Sequence, residues 1–502
     1  MILVLVVISM LALVSLSFCE LMLNERKAAQ TSGRQAQARV LAQSGAELAR
    51  QFLDRDPQDQ ADAGGVYDNP QIFSDVLVAD DETPLDRGRF TIVAPRIEDR
   101  TIVGVRYGLQ DESTRINLTT LLQADKSAKG SAKAMLMGLP GMTDEISDAI
   151  LDWIDADGTP REHGAEADYY ASLTPAYAPR NGPPASIEEL LLVRGVTPQL
   201  LFGADAAGMG MTAGASSDES IEGVDNSDGS MDHGWAAYLT LYSAESKNKS
   251  DGTEKINLNQ SDLQKLYDGL KTALDEASAT FVVAYRQNGP KSGNASPEKE
   301  EAPVSKQLDF SKKASTTISS VLDLIGARTT IQYVGQKKSM TLRSPFTEDT
   351  AAMSAYLPKL MDNTTVDSEP TIRGRININQ APRTVLMCIP GMTSDIVDQI
   401  IAKRVADPTV DSPDHRRETW LLTEGVVPLK TMKALLPLVT AGGSVYRAQI
   451  LGTFDGGGPA ARLEIILDAG KKPTQLLSWK DMSRLPNGFP AEKAGQDDLT
   501  NP

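Results

Sequence analysis

The sequence predicts an α+β fold: a long N-terminal transmembrane helix runs into an antiparallel sheet, and a large helical part contains duplicated helix-hairpin-helix (SAM-like) units. Three observations predict it. The chain opens on an apolar run whose helical pattern continues well beyond its apolar part. Two pairs of segments, one near each end, alternate apolar and polar residues with the period of two that a half-buried strand requires. Between and beside them, short blocks of sequence recur in the same order.

From Met1 to Cys19 every residue is apolar or a small serine. As a helix this run is roughly 28 Å long, close to a hydrocarbon core of about 30 Å, so it can cross a bilayer. Glu20, Asn24, Glu25, Arg26 and Lys27 form its polar edge, and the pattern continues to Thr31 and past Gly33 through Ala36 to Leu53. A cleaved signal peptide is the alternative. No basic segment precedes the run, however, and Phe18-Cys19-Glu20 is a poor small-x-small cleavage site, so a retained anchor is expected. The first basic residue is Arg26, which on the positive-inside rule alone would put the rest of the chain in the cytoplasm. A short basic leader ahead of Met1, or an earlier start codon, would reverse that.

At 502 residues the chain exceeds one hydrophobic core, and two or three domains are expected. The net charge of -17 argues against non-specific attraction to phosphate and for protein partners or cations. Cys19 in the anchor and Cys388 far downstream do not suggest a disulfide, and three histidines with no Cys-x-x-Cys offer no zinc site. After the anchor (1–23) and its helical extension (24–54), strands are expected within 55–112, where Asp54 to Asp75 reads as a loop and Arg89–Ala94 and Ile102–Leu109 alternate. A first helical unit over 113–203 is followed by a Gly-, Ser- and Asp-rich linker over 204–235. A second α+β region, 236–370, opens on a strand-like Ala236–Tyr242, includes the amphipathic Leu263–Ala277 and is interrupted by a polar linker at 287–303. A second helical unit (371–440), a C-terminal β-hairpin region (441–486, with strands Tyr446–Phe454 and Ala461–Asp468) and a disordered tail (487–502) complete the chain.

The repeats carry the most information. Arg115-Ile116-Asn117-Leu118 recurs as Arg375-Ile376-Asn377-Ile378 and again as Lys255-Ile256-Asn257-Leu258. In the first two cases Leu136-Met137-Gly138-Leu139-Pro140-Gly141-Met142-Thr143 then aligns with Leu386-Met387-Cys388-Ile389-Pro390-Gly391-Met392-Thr393, and Ile146, Asp148 and Ile150 with Ile396, Asp398 and Ile400. Leu191–Pro198 echoes Leu421–Pro428. Pro-Gly ends one short helix and Thr143 or Thr393 caps the next, with Glu145 or Asp395 in its first turn: a helix-hairpin-helix. Leu136, Leu139, Ile146, Ile150 and Ile154 are expected where the helices meet, and the repeated asparagine to cap a helix or close an Asx turn. Such units often bind DNA, but Asp144, Glu145, Asp148, Asp152, Asp155 and Asp157 would repel phosphate, and Lys403 and Arg404 are flanked by Asp395, Asp398 and Asp407. Charge therefore favours structural or protein-binding use.

Asp152-Trp153-Ile154-Asp155-Ala156-Asp157-Gly158 is followed by Gly164-Ala165-Glu166-Ala167-Asp168-Tyr169-Tyr170. Clusters rich in oxygen and poor in histidine suit a hard cation such as calcium, which takes six to eight oxygens. The match to an EF-hand loop is poor, and a solvated acidic turn is the alternative. Asp155, Asp157 and Glu166 are the candidate ligands, and they converge only if the intervening loop folds back. A carboxylate-dependent hydrolase would need a cleft and a nucleophile-base pair, which no motif here announces.

In order, the apolar helix, Asp111-Glu112-Ser113-Thr114-Arg115-Ile116-Asn117-Leu118, Asp152–Asp157, Gly164-Ala165-Glu166, Tyr169-Tyr170, Asn181-Gly182-Pro183, Ser186-Ile187-Glu188-Glu189-Leu190 and Val193-Arg194-Gly195-Val196 resemble general secretion pathway protein K, a minor pseudopilin family of type II secretion. The resemblance spans about residues 1 to 205 well, and the second repeat and final hairpin more loosely. It implies a pilin-like helix and sheet with a large helical insertion, anchored in the bacterial inner membrane with its bulk in the periplasm. It implies no enzyme activity, other minor pseudopilins and the pseudopilus as partners, and no nucleic acid. It also implies that the acidic positions can bind calcium. Most pilin-like chains have glutamate at the fifth mature position, and the K subunit is the usual exception; Leu5 stands there if Met1 is near the mature start. Two departures stand out: a prepilin leader is not visible, and Gly203 to Pro370 exceeds the family expectation. A membrane-tethered competence-type DNA receptor is the competing reading, since it too pairs an anchor with helix-hairpin-helix units.

Overall fold

The structure is a computed structural model that describes residues 1–98, 101–127, 129–203, 231, 234–249, 251–291, 307–334 and 339–483. The linker expected over 204–235 falls almost wholly outside the described residues, as do 292–303 of the internal polar linker and the tail at 487–502.

Helix α1 runs from Ile2 to Asp54, 53 residues without a break and about 80 Å at the α-helical rise. Its first part keeps its apolar side chains exposed, with a mean hydropathy of 2.4 in its most apolar stretch and none of that stretch buried, consistent with a single membrane anchor. Further along, one face turns inward. Ala38, Leu41, Ala42, Ala46, Ala49, Phe52 and Leu53 are buried at three- and four-residue spacing. The small residues on this face let the helix lie close to a sheet: a Cβ on Gly452 would stand 2.2 Å from the Ala38 carbonyl oxygen. The helix stops where Arg55 turns extended ahead of Pro57, and Lys472 Nζ donates to the carbonyls of Leu53 (2.8 Å) and Arg55 (3.1 Å), a cation at the negative helix end.

The sheet under α1 is antiparallel, with β1 (Val76–Ala79), β2 (Gly88–Glu98), β4 (Val445–Phe454), β5 (Ala461–Asp468) and β6 (Gln475–Asp481) in that spatial order. Strand β3 (Thr101–Arg106) pairs with the far end of β2, and Gln110–Asp111 pairs with β4. The two alternating pairs seen in the sequence therefore belong to one sheet: Ile92 of β2 faces Ile450 of β4, and β4 in turn pairs with β5. Strand β6 carries no clear alternation in sequence because it is an edge strand exposed along most of its length. The 54–75 stretch expected as a loop contains two short helices, Pro57–Asp62 and Pro70–Phe73, each started by a proline whose missing N–H costs nothing at a helix N-terminus. Phe73 anchors the second, edge-to-face with Phe52 at 5.2 Å.

The rest of the described chain, whose regular elements are mostly helices, is inserted between Asp111 and β4. The matched blocks form the same local backbone. Helices α2 (Ser131–Met137) and α3 (Asp144–Ile154) are joined through Gly141 at φ 69, as α7 (Arg383–Met387) and α8 (Ser394–Lys403) are through Gly391 at φ 89. Thr143 and Thr393 cap the second helices, accepting from the N–H of Ile146 (3.3 Å) and Ile396 (3.4 Å). Leu136, Leu139, Ile146, Ile150 and Ile154 are all buried. The segment between these pairs carries α4 (Leu263–Ala273), α5 (Glu276–Asn288) and α6 (Thr350–Asn363). Within it, the apolar Phe281–Tyr285 lies inside a helix, and the strand expected over Ala236–Tyr242 shrinks to Leu239–Thr240 after a 3₁₀ turn at Trp235–Ala237.

All three Ile-Asn repeats form one device. Ile116–Asn117, Ile256–Asn257 and Ile376–Asn377 each make a two-residue parallel pairing, with Leu239–Thr240, Thr364–Thr365 and Val439–Thr440. Each asparagine Oδ1 accepts the N–H two residues on, from Thr119 (2.9 Å), Asn259 (2.8 Å) and Asn379 (2.9 Å), and each Nδ2 donates across to a neighbouring segment. These clasps bring together stretches that are far apart in sequence.

Two large apolar cores result, one between α1 and the sheet and one within the helical mass. Asp111 and Glu112 sit at the junction. Asp111 accepts from Ser113 N (2.7 Å), Gly443 N (2.7 Å) and Asn377 Nδ2 (2.8 Å), and burial still holds its pKa above the usual carboxylate range. Glu112, fully buried, pairs with Arg447 of β4 at 2.6 Å and accepts from Thr240; burial would raise its pKa, but Arg447 and Arg115 hold it below the ordinary value. The Asp-Glu-Ser-Thr-Arg-Ile-Asn-Leu motif is thus the seam between sheet and insertion.

Candidate metal centre

Helix α3 delivers the acidic cluster. Its apolar face is buried through Ile154, which drags Asp152 under the surface with a fully buried side chain. The helix ends as Asp155 turns extended, and the next turn is pinned by Asp155 Oδ1 accepting Asp157 N (3.3 Å) and Asp157 Oδ1 accepting Thr159 N (2.9 Å). The chain then doubles back over Asp152. Arg161 donates its backbone N–H to that carboxylate (3.2 and 3.3 Å), and a Cβ on Gly164 would stand 1.8 Å from Asp152 Oδ2, so only glycine fits there. Arg194, from Val193-Arg194-Gly195, fastens the returning loop by donating to the carbonyls of His163 (2.7 Å) and Gly164 (3.2 Å). Glu166 then opens the short helix Ala167–Ala171, whose Tyr170 packs edge-to-face on Trp153 at 5.2 Å.

The fold-back that the sequence required is therefore present. One carboxylate oxygen each from Asp155, Asp157 and Glu166 lies within 4.8 Å of the others. Glu166 is 5 % exposed, yet among the described residues neither of its oxygens has a partner in good hydrogen-bond geometry. Burial raises its pKa, and the charges of Asp152, Asp155 and Asp157 raise it further, while the Ala167 N–H works weakly the other way. A buried carboxylate whose one nearby donor, the Ala167 N–H, acts only weakly and which faces other carboxylates is an arrangement a hard cation would relieve, and the oxygen-only donor set suits calcium.

One member of this site was not singled out from sequence. Arg161 Nη1 bonds both Asp152 Oδ1 and Asp155 Oδ2 at 2.5 Å. Burial works to lower its pKa, but its bonds to Asp155 and Asp152 outweigh that and hold it above the ordinary arginine value. The available signal was that Arg161 is the only Lys or Arg between Lys133 and Arg180.

The basic residues considered for DNA are engaged within the chain. Lys403 Nζ donates to the Glu424 carbonyl (3.0 Å) and Arg404 to that of Ala381 (2.6 Å). On the first copy, Lys133 bridges Asp144 (2.8 Å) and Asp148 (2.9 Å), leaving an acidic face.

The family model for protein K of the type II secretion system (T2SS) matches residues 114–202, the segment that contains α2, α3 and the acidic loop. The type II secretion system protein K of Pectobacterium carotovorum subsp. carotovorum is 30% identical over 174 residues, 33% of this chain and 47% of that protein. The chain thus spans about half the length of this curated relative. A chain of the crystal structure of the GspK-GspI-GspJ complex from the enterotoxigenic Escherichia coli type 2 secretion system aligns over 91% of this chain and 99% of its own, at 11% identity and a TM-score of 0.35.

Proposed function

We propose that this chain, a member of the type II secretion system protein K family through residues 114–202, is a minor pseudopilin: a non-enzymatic subunit that helps assemble or cap the periplasmic pseudopilus and so serves protein secretion. The observation that carries this reading is that the family-matching segment is inserted into a sheet packed on the second part of an otherwise exposed, apolar helix. On this reading the helix and sheet are pilin-like. The apolar first part of α1 holds the chain in the inner membrane, and the bulk stands in the periplasm.

Within the insertion, the α2–α3 and α7–α8 pairs are read as helix-hairpin-helix (SAM-like) units used for scaffolding, since their acidic faces and internally bonded cations suit protein contact better than phosphate. The partners would be other minor pseudopilins of the same system, by analogy with the complex of GspK, GspI and GspJ. Asp155, Asp157 and Glu166 are read as calcium ligands; the ion would neutralise their charge and tie the end of α3 to the helix at Ala167.

Co-purification of the full chain after detergent extraction tests the assembly reading. Two pilin-like partners should co-elute, and deleting the gene should stop secretion of type II substrates. Extraction of the chain alone, with secretion intact in the deletion strain, would overturn it. Retardation of DNA in low-salt gel shifts, lost by about 0.2 M salt, would favour the DNA receptor instead.

A further inference from the structure

The proposed cation site already contains a positive charge. Arg161 Nη1 is shared between Asp152 and Asp155 at 2.5 Å each, so one of the three candidate ligands is occupied by a guanidinium. The two carboxylates differ in how firmly they hold it. Asp152 is fully buried and also accepts the Arg161 backbone N–H, under a loop pressed onto it at Gly164. Asp155 holds only the guanidinium, plus one long bond from Asp157 N at 3.3 Å. Among the described residues Asp157 and Glu166 have no cation of their own in this cluster, and both Glu166 oxygens are buried without a partner in good hydrogen-bond geometry. A divalent ion entering beside Glu166 needs an oxygen of Asp155, and it meets the field of Arg161 at close range.

We propose that Arg161 is a built-in counter-ion that sets the calcium affinity of this centre: in the metal-free chain it holds Asp155, and when calcium binds it yields Asp155 while remaining on Asp152. This inference rests on the calcium reading above. Arg161 does not ligate the ion; it acts through Asp155, as a positioning and affinity-setting residue. It also keeps the metal-free loop folded, so that the site is preformed when calcium is scarce.

The test is calorimetric titration of the detergent-solubilised full chain with calcium at fixed magnesium, comparing wild type, Arg161→Gln, Arg161→Lys and Glu166→Gln. Arg161→Gln should bind calcium about tenfold tighter, because a neighbouring positive charge is gone. It should also melt lower than wild type in chelator, with the gap closing in saturating calcium. Should Arg161→Gln fail to fold, Arg161→Lys decides: its ammonium stands on a shorter side chain than the guanidinium and reaches Asp155 from Asp152 less well, so tighter binding than wild type is expected, by less than for Arg161→Gln. Unchanged or weaker affinity in the folded variants, with wild type binding calcium, overturns the role of Arg161 and leaves the calcium reading standing. No calcium binding by wild type or either Arg161 variant overturns both.

Discussion

At Glu166 burial and the neighbouring charges act in the same direction. Its pKa is raised first by burial and then by Asp152, Asp155 and Asp157. A raised carboxyl contributes its full stability only below its unfolded-state pKa and loses it as pH rises through the folded value. In the metal-free chain the contribution of Glu166 should therefore be lost as pH rises from about 4, and Glu166→Gln should remove that part of the slope. At pH 7 in chelator the variant should melt higher than wild type, yet show no rise in melting temperature with calcium. Melting curves with chelator and with calcium check both, and a variant that melts lower and still responds to calcium would sink the assignment. That Asp155, Asp157 and Glu166 could gather was legible in the sequence because they flank a Gly-bearing loop able to fold back. Arg161 was not, since nothing in a linear reading says which acidic group a lone arginine reaches.

At the scale of elements, the three asparagine clasps differ in burial and hence in expected cost. Asn117 and Asn377 are 3% and 1% exposed, whereas Asn257 is half-buried. Replacement by alanine strands the N–H two residues on and an acceptor in a neighbouring segment, so Asn117→Ala and Asn377→Ala should each cost about 1–3 kcal/mol, and Asn257→Ala less. Urea unfolding checks the order; equal costs at all three sites would contradict it. The approach of α1 to the sheet makes a second case. Gly452→Ala sets a methyl against the backbone of Ala38, which cannot move aside, and should cost about 1–3 kcal/mol. Local chemistry made the helices and their caps legible, because Pro-Gly and a following threonine act within a few residues. Edge strand β6 escaped, since a strand exposed along most of its length has no burial period to display.

Across the whole molecule, the Glu112–Arg447 pair joins residues from the two sides of the insertion, at the seam of the two cores. Arg447→Met would leave Glu112 buried without the cation bonded to it, Arg115 acting only from further off, and should cost about 3–5 kcal/mol, with part recovered by adding Glu112→Gln. Because Glu112 titrates below its ordinary value, its contribution is present above the unfolded-state pKa and is lost as pH falls through the folded one, opposite in sign to Glu166. Thermal melts of the single and double variants check this, and a double variant no more stable than Arg447→Met would refute the pairing energetics. By itself the sequence determined the membrane-length helix, the alternating strands, the repeated blocks and the acidic loop, because each is a pattern of burial or turn chemistry within a few residues. Only the tertiary structure decided that strands from both ends of the chain share one sheet, that the Ile-Asn repeats close three pairings, and that Arg161 occupies the acidic cluster. Those facts depend on contacts between distant segments, where the partner is chosen by packing and charge in space and leaves no spacing in the chain.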